Sequence, residues 1–273
     1  MKIAQASVVL TGASGGIGAA TSRLLIFEGA RVLLVGRSKQ NLLRLAAELE
    51  ARIPNRVRMD ALIADVTTPA GRDAIRHAAE MRNVNVLINN AGVSSFGALG
   101  TLTDAGITAS VETNLLAPML LTSSLLPHLL KQPRALVLNV GSTLGSIGVP
   151  GFSTYGASKA GLRGFSEALR RELADTSVGV QYLAPRAVDT GFNDAQAHAF
   201  NHATGSHIDK PEYVARAILK MIESEGAEHY LGLSERIAAR LNALAPRLLD
   251  GAFAKHRKAL KTLPQTLHAE GEI

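Results

Sequence analysis

A tyrosine and a lysine four residues apart, Tyr155 and Lys159, stand in the stretch STYGASKAG over residues 153–161. On a helix that spacing puts both side chains on one face, one turn apart. A phenol has an ordinary pKa near 10, too high to exchange a proton readily at neutral pH. A neighbouring ammonium favours the phenolate, so the pair is expected to lower the tyrosine pKa and to work as a general acid or base. Thirteen residues before Tyr155, Ser142 follows an apolar run over 135–140 that reads as a buried strand. A hydroxyl at a strand's carboxyl end, beside that helix, is placed to hold a carbonyl or alcohol oxygen. On its own Y-x-x-x-K is common on solvated helices, and its weight comes from the elements around it.

Those elements alternate. Residues 7–10 read as a short strand, TGASGGIG (11–18) as a glycine turn, and the residues up to Glu28 as a helix. In that context Gly12 permits a tight turn, Gly16 lets backbone approach a pyrophosphate, and Gly18 lets helix and strand pack closely. A second strand over 31–35 ends in Gly36-Arg37-Ser38, with a helix over 39–51 behind it. An acidic residue there would bind ribose 2′-hydroxyls. Arg37 is instead a planar cation suited to a 2′-phosphate, the alternative being a solvated loop residue beside a Ser38 cap. A third strand over 57–64 ends at Asp65-Val66, where Asp65 can accept from an adenine amino group or cap the helix near Pro69. A fourth, over 84–88, runs into Asn89-Asn90-Ala91-Gly92. Small residues there admit a ribose, and the Asn amides can tie adjacent strand ends. Further strands are expected over 178–184 and 229–231, and a helix over 211–223. Strands alternating with helices imply right-handed crossovers and a parallel sheet.

Asn114 sits inside a long apolar helical pattern, either hydrogen-bonded, holding a water that relays protons towards Lys159, or simply kinking the helix. Residues 191–210 read as an irregular lid. His198 and His202 are spaced for a metal, but no third ligand accompanies them, so no metal is expected.

At 273 residues, 47% hydrophobic and 19% charged, the chain suits one large globular domain with an appendage. It has no cysteine, which excludes disulfides and thiolate metal sites and leans towards a reducing cytoplasm. The first residues read as neither a membrane span nor a signal peptide.

In order and spacing, TGASGGIG, Asp65-Val66, NNAG, Ser142 with Y-x-x-x-K, and the segment Pro185 to Thr190 resemble the short-chain dehydrogenase/reductase family over residues 7–232. The resemblance implies a single Rossmann-type, doubly wound parallel α/β sheet with helices on both faces. It also implies an NADP(H)-dependent carbonyl reductase or alcohol dehydrogenase. Asn114, Ser142, Tyr155 and Lys159 would form the catalytic set: Tyr155 as acid or base, Ser142 orienting the substrate oxygen, Lys159 binding ribose and lowering the tyrosine pKa, and Asn114 holding the relay water. Cofactor contacts would come from Gly12, Ser14, Gly16, Ile17, Gly18, Arg37, Asp65, Val66, Asn90, Ala91, Gly92, Tyr155, Lys159, Val188 and Thr190. Arg37 is similar to NADP-preferring members. The family usually has Pro-Gly where this chain has Pro185-Arg186, so Arg186 must point away, narrow the pocket, or meet an anionic substrate group. The runner-up is a cofactor-binding sensor or scaffold with little catalysis. The apolar run Val149-Pro150-Gly151-Phe152 leans towards a lipophilic carbonyl: an acyl chain, a sterol or an aromatic ketone. A dimer or tetramer is expected, and no nucleic-acid partner.

The resemblance stops before residues 233–273, read as a basic helical extension. Over 235–261 seven Lys/Arg face Glu235 and Asp250, a net +5 of the chain's +6. Ile237, Leu241, Leu244 and Leu248 form one helical stripe, broken by Pro246. Three uses fit: lying on an anionic membrane, docking on another subunit, or closing over the cleft. Peripheral membrane contact is the favoured expectation of the three.

Overall fold

The computed structural model describes residues 1–52 and 58–262. Its main sheet comprises β1 (Ser7–Thr11), β2 (Arg31–Gly36), β3 (Met59–Ile63), β4 (Val86–Asn89), β5 (Ala135–Val140) and β6 (Val178–Ala184), closed at one edge by β9 (Glu228–Tyr230). All are parallel, in the order β3-β2-β1-β4-β5-β6-β9. A small separate ladder pairs β7 (Ala187–Val188) with β8 (Ile208–Asp209). The central strands β1, β4 and β5 are buried along their whole length. That explains why they read as unbroken apolar runs rather than as alternating ones. Edge strand β3 carries none of that burial. Val57, expected at its start, lies outside the described residues, as do 263–273 of the extension.

Two cores cover the sheet. One packs α1 (Gly16–Phe27), α2 (Lys39–Arg52) and α8 (Pro211–Glu223) against Leu10, Leu34 and Ile88. The other packs α3 (Pro69–Met81), α5 (Ala117–Leu129) and α6 (Ser153–Glu172) against Val9, Leu87 and Val137. The strand order reverses between β1 and β4, so a crevice opens at the carboxyl ends of those two strands, where ligands bind in such sheets. This is the doubly wound α/β architecture the sequence implies.

The residues around Asn114 are one helix interrupted by a π turn: α4 (Asp104–Val111), a π segment Glu112–Leu116, then α5. Residues 191–210 are not the irregular stretch the sequence suggests. They hold α7 (Ala195–Thr204), whose start is capped by Asp194 accepting from the Ala197 N–H at 2.7 Å. The chain then continues through α9 (Leu233–Leu244), a 3-10 segment Pro246–Phe253 and α10 (Ala254–Thr262). Among the described residues no helix is long and apolar enough to cross a membrane.

A buried polar chain fixes α6 against the sheet. Asn89 and Asn139 are neighbours in register, and Asn89 Nδ2 donates to Asn139 Oδ1 at 2.8 Å and to Thr122 Oγ1 at 3.1 Å. Asn139 Nδ2 in turn donates to Ser166 Oγ on α6 at 2.8 Å. Stranding a buried donor or acceptor costs about 1–3 kcal/mol. Asn139→Leu should therefore lower stability by about 2 kcal/mol, read as a drop in urea midpoint at unchanged slope. A variant with wild-type stability would show that the network contributes nothing.

Candidate active site

The glycine turn sits over the crevice. Gly12 has φ +64°, a conformation that side chains resist, and a Cβ there would lie 2.9 Å from Ala91 Cα. Thr11 at the end of β1 staples the turn to the next segment: its Oγ1 accepts from the Asn90 and Ala91 N–H groups, both at 3.0 Å. Asn90 Nδ2 returns bonds to the carbonyls of Thr11 and Gly12 at 3.0 and 3.2 Å. Gly16 abuts Thr190 so closely that any Cβ would collide with it. The turn is thus held open with its backbone bare, a cradle suited to a pyrophosphate.

One cavity of about 540 Å³ is lined by Gly12, Gly16, Ile17, Gly18, Asn90, Ala91, Gly92, Ser142, Tyr155, Lys159, Val188 and Thr190. A second of about 230 Å³ holds Ser14, Arg37, Asp65 and Val66 and shares Gly12, Ala91 and Gly92 with the first. The two adjoin through these shared residues, with Arg37 and Asp65 at one end and Tyr155 and Lys159 at the other. Arg37 reaches out from the end of β2 with its Nη1 3.8 Å from Asp65 Oδ2. Asp65 does not cap α3, a task Thr68 performs. Its Oδ1 accepts from the N–H and hydroxyl of Thr67 at 2.9 and 2.7 Å. Burial pulls its pKa up, but the Thr67 bonds and the Arg37 cation outweigh that and hold it below the usual carboxylate value.

At the other end, Lys159 is buried and its Nζ donates to the Val140 carbonyl, at the end of β5, at 3.0 Å. Burial lowers its pKa to about 8. Tyr155 lies half-buried one turn earlier on α6, with Lys159 Nζ 5.8 Å from its ring centroid. Its pKa corrects the sequence expectation: burial pushes it up to about 12, against the pull of a hydrogen bond with the Ser142 side chain. At this distance the ammonium does not offset desolvation of the phenolate. Ser142 leads a short 3-10 turn, its Oγ accepting from the Leu144 N–H at 3.1 Å.

Asn114 lines neither cavity. Fully buried in the π turn, it accepts from the Val93 N–H at 2.8 Å and donates to Val93 O, Ser110 Oγ and Ser158 Oγ at 3.0, 3.4 and 3.2 Å. The amide thereby ties the segment beyond Gly92 to α6.

Several residues here carry no sequence signal. Tyr182 reads as strand core, yet its hydroxyl sits under the site. It accepts from the Ser142 N–H at 3.2 Å and lies 3.2 and 3.4 Å from the carbonyls of Ser142 and Lys159. The ring fits only because Gly141 has no Cβ. Arg186, singled out in the sequence, borders the same cavity as Tyr155, with its guanidinium turned to two acids. Its guanidinium is paired with Asp209 through two bonds of 3.0 and 2.6 Å and lies 3.7 Å from Glu235 of α9. Asn242 Nδ2 donates to Ser146 O at 2.9 Å, a second attachment of α9 beside the cleft. Residues beyond Gly232 therefore wall the same cavity, with Ala238, Leu249, Ala252, Phe253 and His256 facing Phe152 and Phe200. The inner side of this segment thus lies against the cleft.

A family model, short chain dehydrogenase, matches residues 6–200. The chain is 32% identical to the 3-oxoacyl-(acyl-carrier-protein) reductase FabG of Thermotoga maritima over 80% of this chain and 91% of the relative. It is 34% identical to the ketoacyl reductase HetN of a Nostoc species, over 81% and 77%. Among solved structures it resembles a short-chain dehydrogenase from Sphingobium yanoikuyae in complex with NADPH, with TM-score 0.76, 29% identity, and coverage of 97% and 99%. The chain belongs to the short-chain dehydrogenase family and is an oxidoreductase of that type.

The buried ammonium has a measurable consequence. Between pH 8 and 10 the folded chain has lost the Lys159 proton while the unfolded chain retains it, so stability rises with pH in that window. Tyr155 acts oppositely above pH 10, because the folded chain then holds a proton that the unfolded chain releases. Relative to Lys159→Met, wild type should gain about 2 kcal/mol between pH 8 and 9.5, from about 1.4 kcal/mol per unit. Urea midpoints across that range measure it, and parallel profiles would contradict the burial account.

Proposed function

We propose that this chain is an NADP(H)-dependent carbonyl reductase, working reversibly as an alcohol dehydrogenase on a lipophilic substrate. The observation that carries the reading is the convergence of Tyr155, Ser142 and Lys159 on the end of the cleft opposite Arg37. The bound dinucleotide would supply or accept the hydride, chemistry that belongs to the nicotinamide. The bare glycine turn would hold its pyrophosphate, Ser14, Asp65 and Val66 its adenosine, and Val188 and Thr190 its nicotinamide end. Arg37 would meet a 2′-phosphate.

In the reducing direction Tyr155 Oη gives its proton to the substrate oxygen as negative charge gathers there. A phenol whose pKa is about 12 stays protonated at rest at neutral pH and is still far more acidic than the alcohol formed. Ser142 Oγ, already at the Tyr155 side chain, orients the same oxygen. Lys159, pinned at Val140, would stabilise the phenolate left behind and bind the ribose. Asn114 would hold the turn from which a relay water feeds that proton back. The apolar outer wall of the cavity, including Leu144, Val149, Phe152, Phe192 and Phe200, supports the lipophilic substrate. The ketoacyl relatives favour an acyl carbonyl. Exposed Val111, Leu116, Met119 and Leu120 on α4, the π segment and α5 favour a dimer or tetramer, and the cysteine-free composition favours the cytoplasm.

Tyr155→Phe should lower turnover by about 10²–10⁴ with cofactor affinity little changed, the cost of losing a general acid. Wild-type turnover in that variant would overturn the mechanism. Arg37 makes a second expectation. A charge-assisted bond contributes about 1.5–3 kcal/mol, so NADPH should bind at least about tenfold tighter than NADH. Arg37→Asp should reverse the order in a fluorescence titration. Equal affinities of wild type for the two would remove Arg37 from the site.

A further inference from the structure

We propose that the outward face of α9 is a docking surface for an anionic lipid bilayer. A helix packed on a globular domain normally turns its apolar stripe inward. This one does the reverse. Leu233, Ile237, Leu241 and Leu244, spaced four, four and three apart on one stripe, are 63%, 51%, 48% and 84% exposed. The opposite face is small and polar. Ala239 is buried, Ala238 lines the cavity, Glu235 lies against Arg186, and Asn242 bonds Ser146 O. That inner face accounts for how the helix is held, and leaves its apolar ridge without a packing partner among the described residues. The ridge continues into Leu248, 79% exposed, in the 3-10 segment that follows.

Charge selects the occupant. Arg236 and Arg240 are exposed and lie one turn apart along the ridge's edge, and Arg247 is exposed beside Leu248. The one acid of α9, Glu235, is turned inward to Arg186. An apolar ridge edged by arginines matches an interface where acyl chains lie beneath anionic headgroups. A second copy of the same face is a poorer complement, because a two-fold contact would bring like-charged arginines together.

The test is sedimentation of the full chain with phosphatidylglycerol or phosphatidylcholine vesicles at about 0.05 M and about 0.5 M salt, where the Debye length falls severalfold. The proposal expects binding to phosphatidylglycerol at low salt, weaker by at least about tenfold at high salt or on phosphatidylcholine. Arg236→Gln with Arg240→Gln should weaken it about fivefold per arginine. Ile237→Gln with Leu244→Gln should weaken it comparably, both pairs leaving the circular dichroism spectrum unchanged. Failure of wild type to bind, or undiminished binding by either pair, would overturn the proposal. So would an oligomer, measured by light scattering, that Ile237→Gln with Leu244→Gln dissociates, since the face would then belong to a second copy. Binding is read without turnover, so its failure leaves the oxidoreductase reading standing.

Discussion

The bond from Lys159 Nζ to the Val140 carbonyl is the constraint on which the site depends. It places a cation where the protein offers it one neutral acceptor, and its lowered pKa records the cost. It also fixes where α6 meets the end of β5, and hence where Tyr155 stands. The surroundings reinforce that junction from two sides. Tyr182 bridges the backbone of Ser142 and Lys159 from below, and Asn139 grips α6 through Ser166 one layer deeper. Polar groups buried this way must be paired, so the network admits one arrangement of helix on sheet.

The same logic extends to the glycine-turn end of the cleft. Thr11, Asn90 and the bare glycine turn form a second network, and Asn114 joins the segment beyond Gly92 to Ser158 on α6. The two halves of the cleft are therefore linked through α6 and the residues after β4. Arg186 adds a third tie. Where the family usually places a glycine, it forms a nearly buried pair with Asp209 and reaches Glu235, so the wall built by α9 is tied to the turn after β6 and through it to β8. The pairing with Asp209 lets a bulky cation stand beside the cleft, where an unpaired buried charge would be costly.

Much of this was legible in the sequence. The parallel sheet followed from apolar runs alternating with helical patterns, and β5, β6 and α8 fall where that pattern puts them. Gly12, Arg37, Ser142, Tyr155 and Lys159 were found from type and spacing, and the structure gathers them along one cleft. What escaped was non-local. Tyr182 looks like any strand aromatic until Gly141 makes room for it. The direction of the Tyr155 shift depends on burial that no spacing reports. Helix α7 was hidden because its Ala, Asn and His residues give little apolar periodicity, although Asp194 was a readable cap. The stripe on α9 was correctly located, but the side it faces is set by contacts of Glu235 and Asn242 that only the fold supplies.

The central claim is hydride transfer to a carbonyl with Tyr155 as the proton donor. Its most direct test uses NADPH carrying deuterium at the transferable C4 position, offered with 3-oxoacyl thioesters and aromatic ketones, and mass spectrometry of the alcohols formed. The account predicts one deuterium per product alcohol with wild type and almost no product with Tyr155→Phe. Tight NADPH binding with no deuterium appearing in any carbonyl offered would contradict it and favour a cofactor-binding sensor.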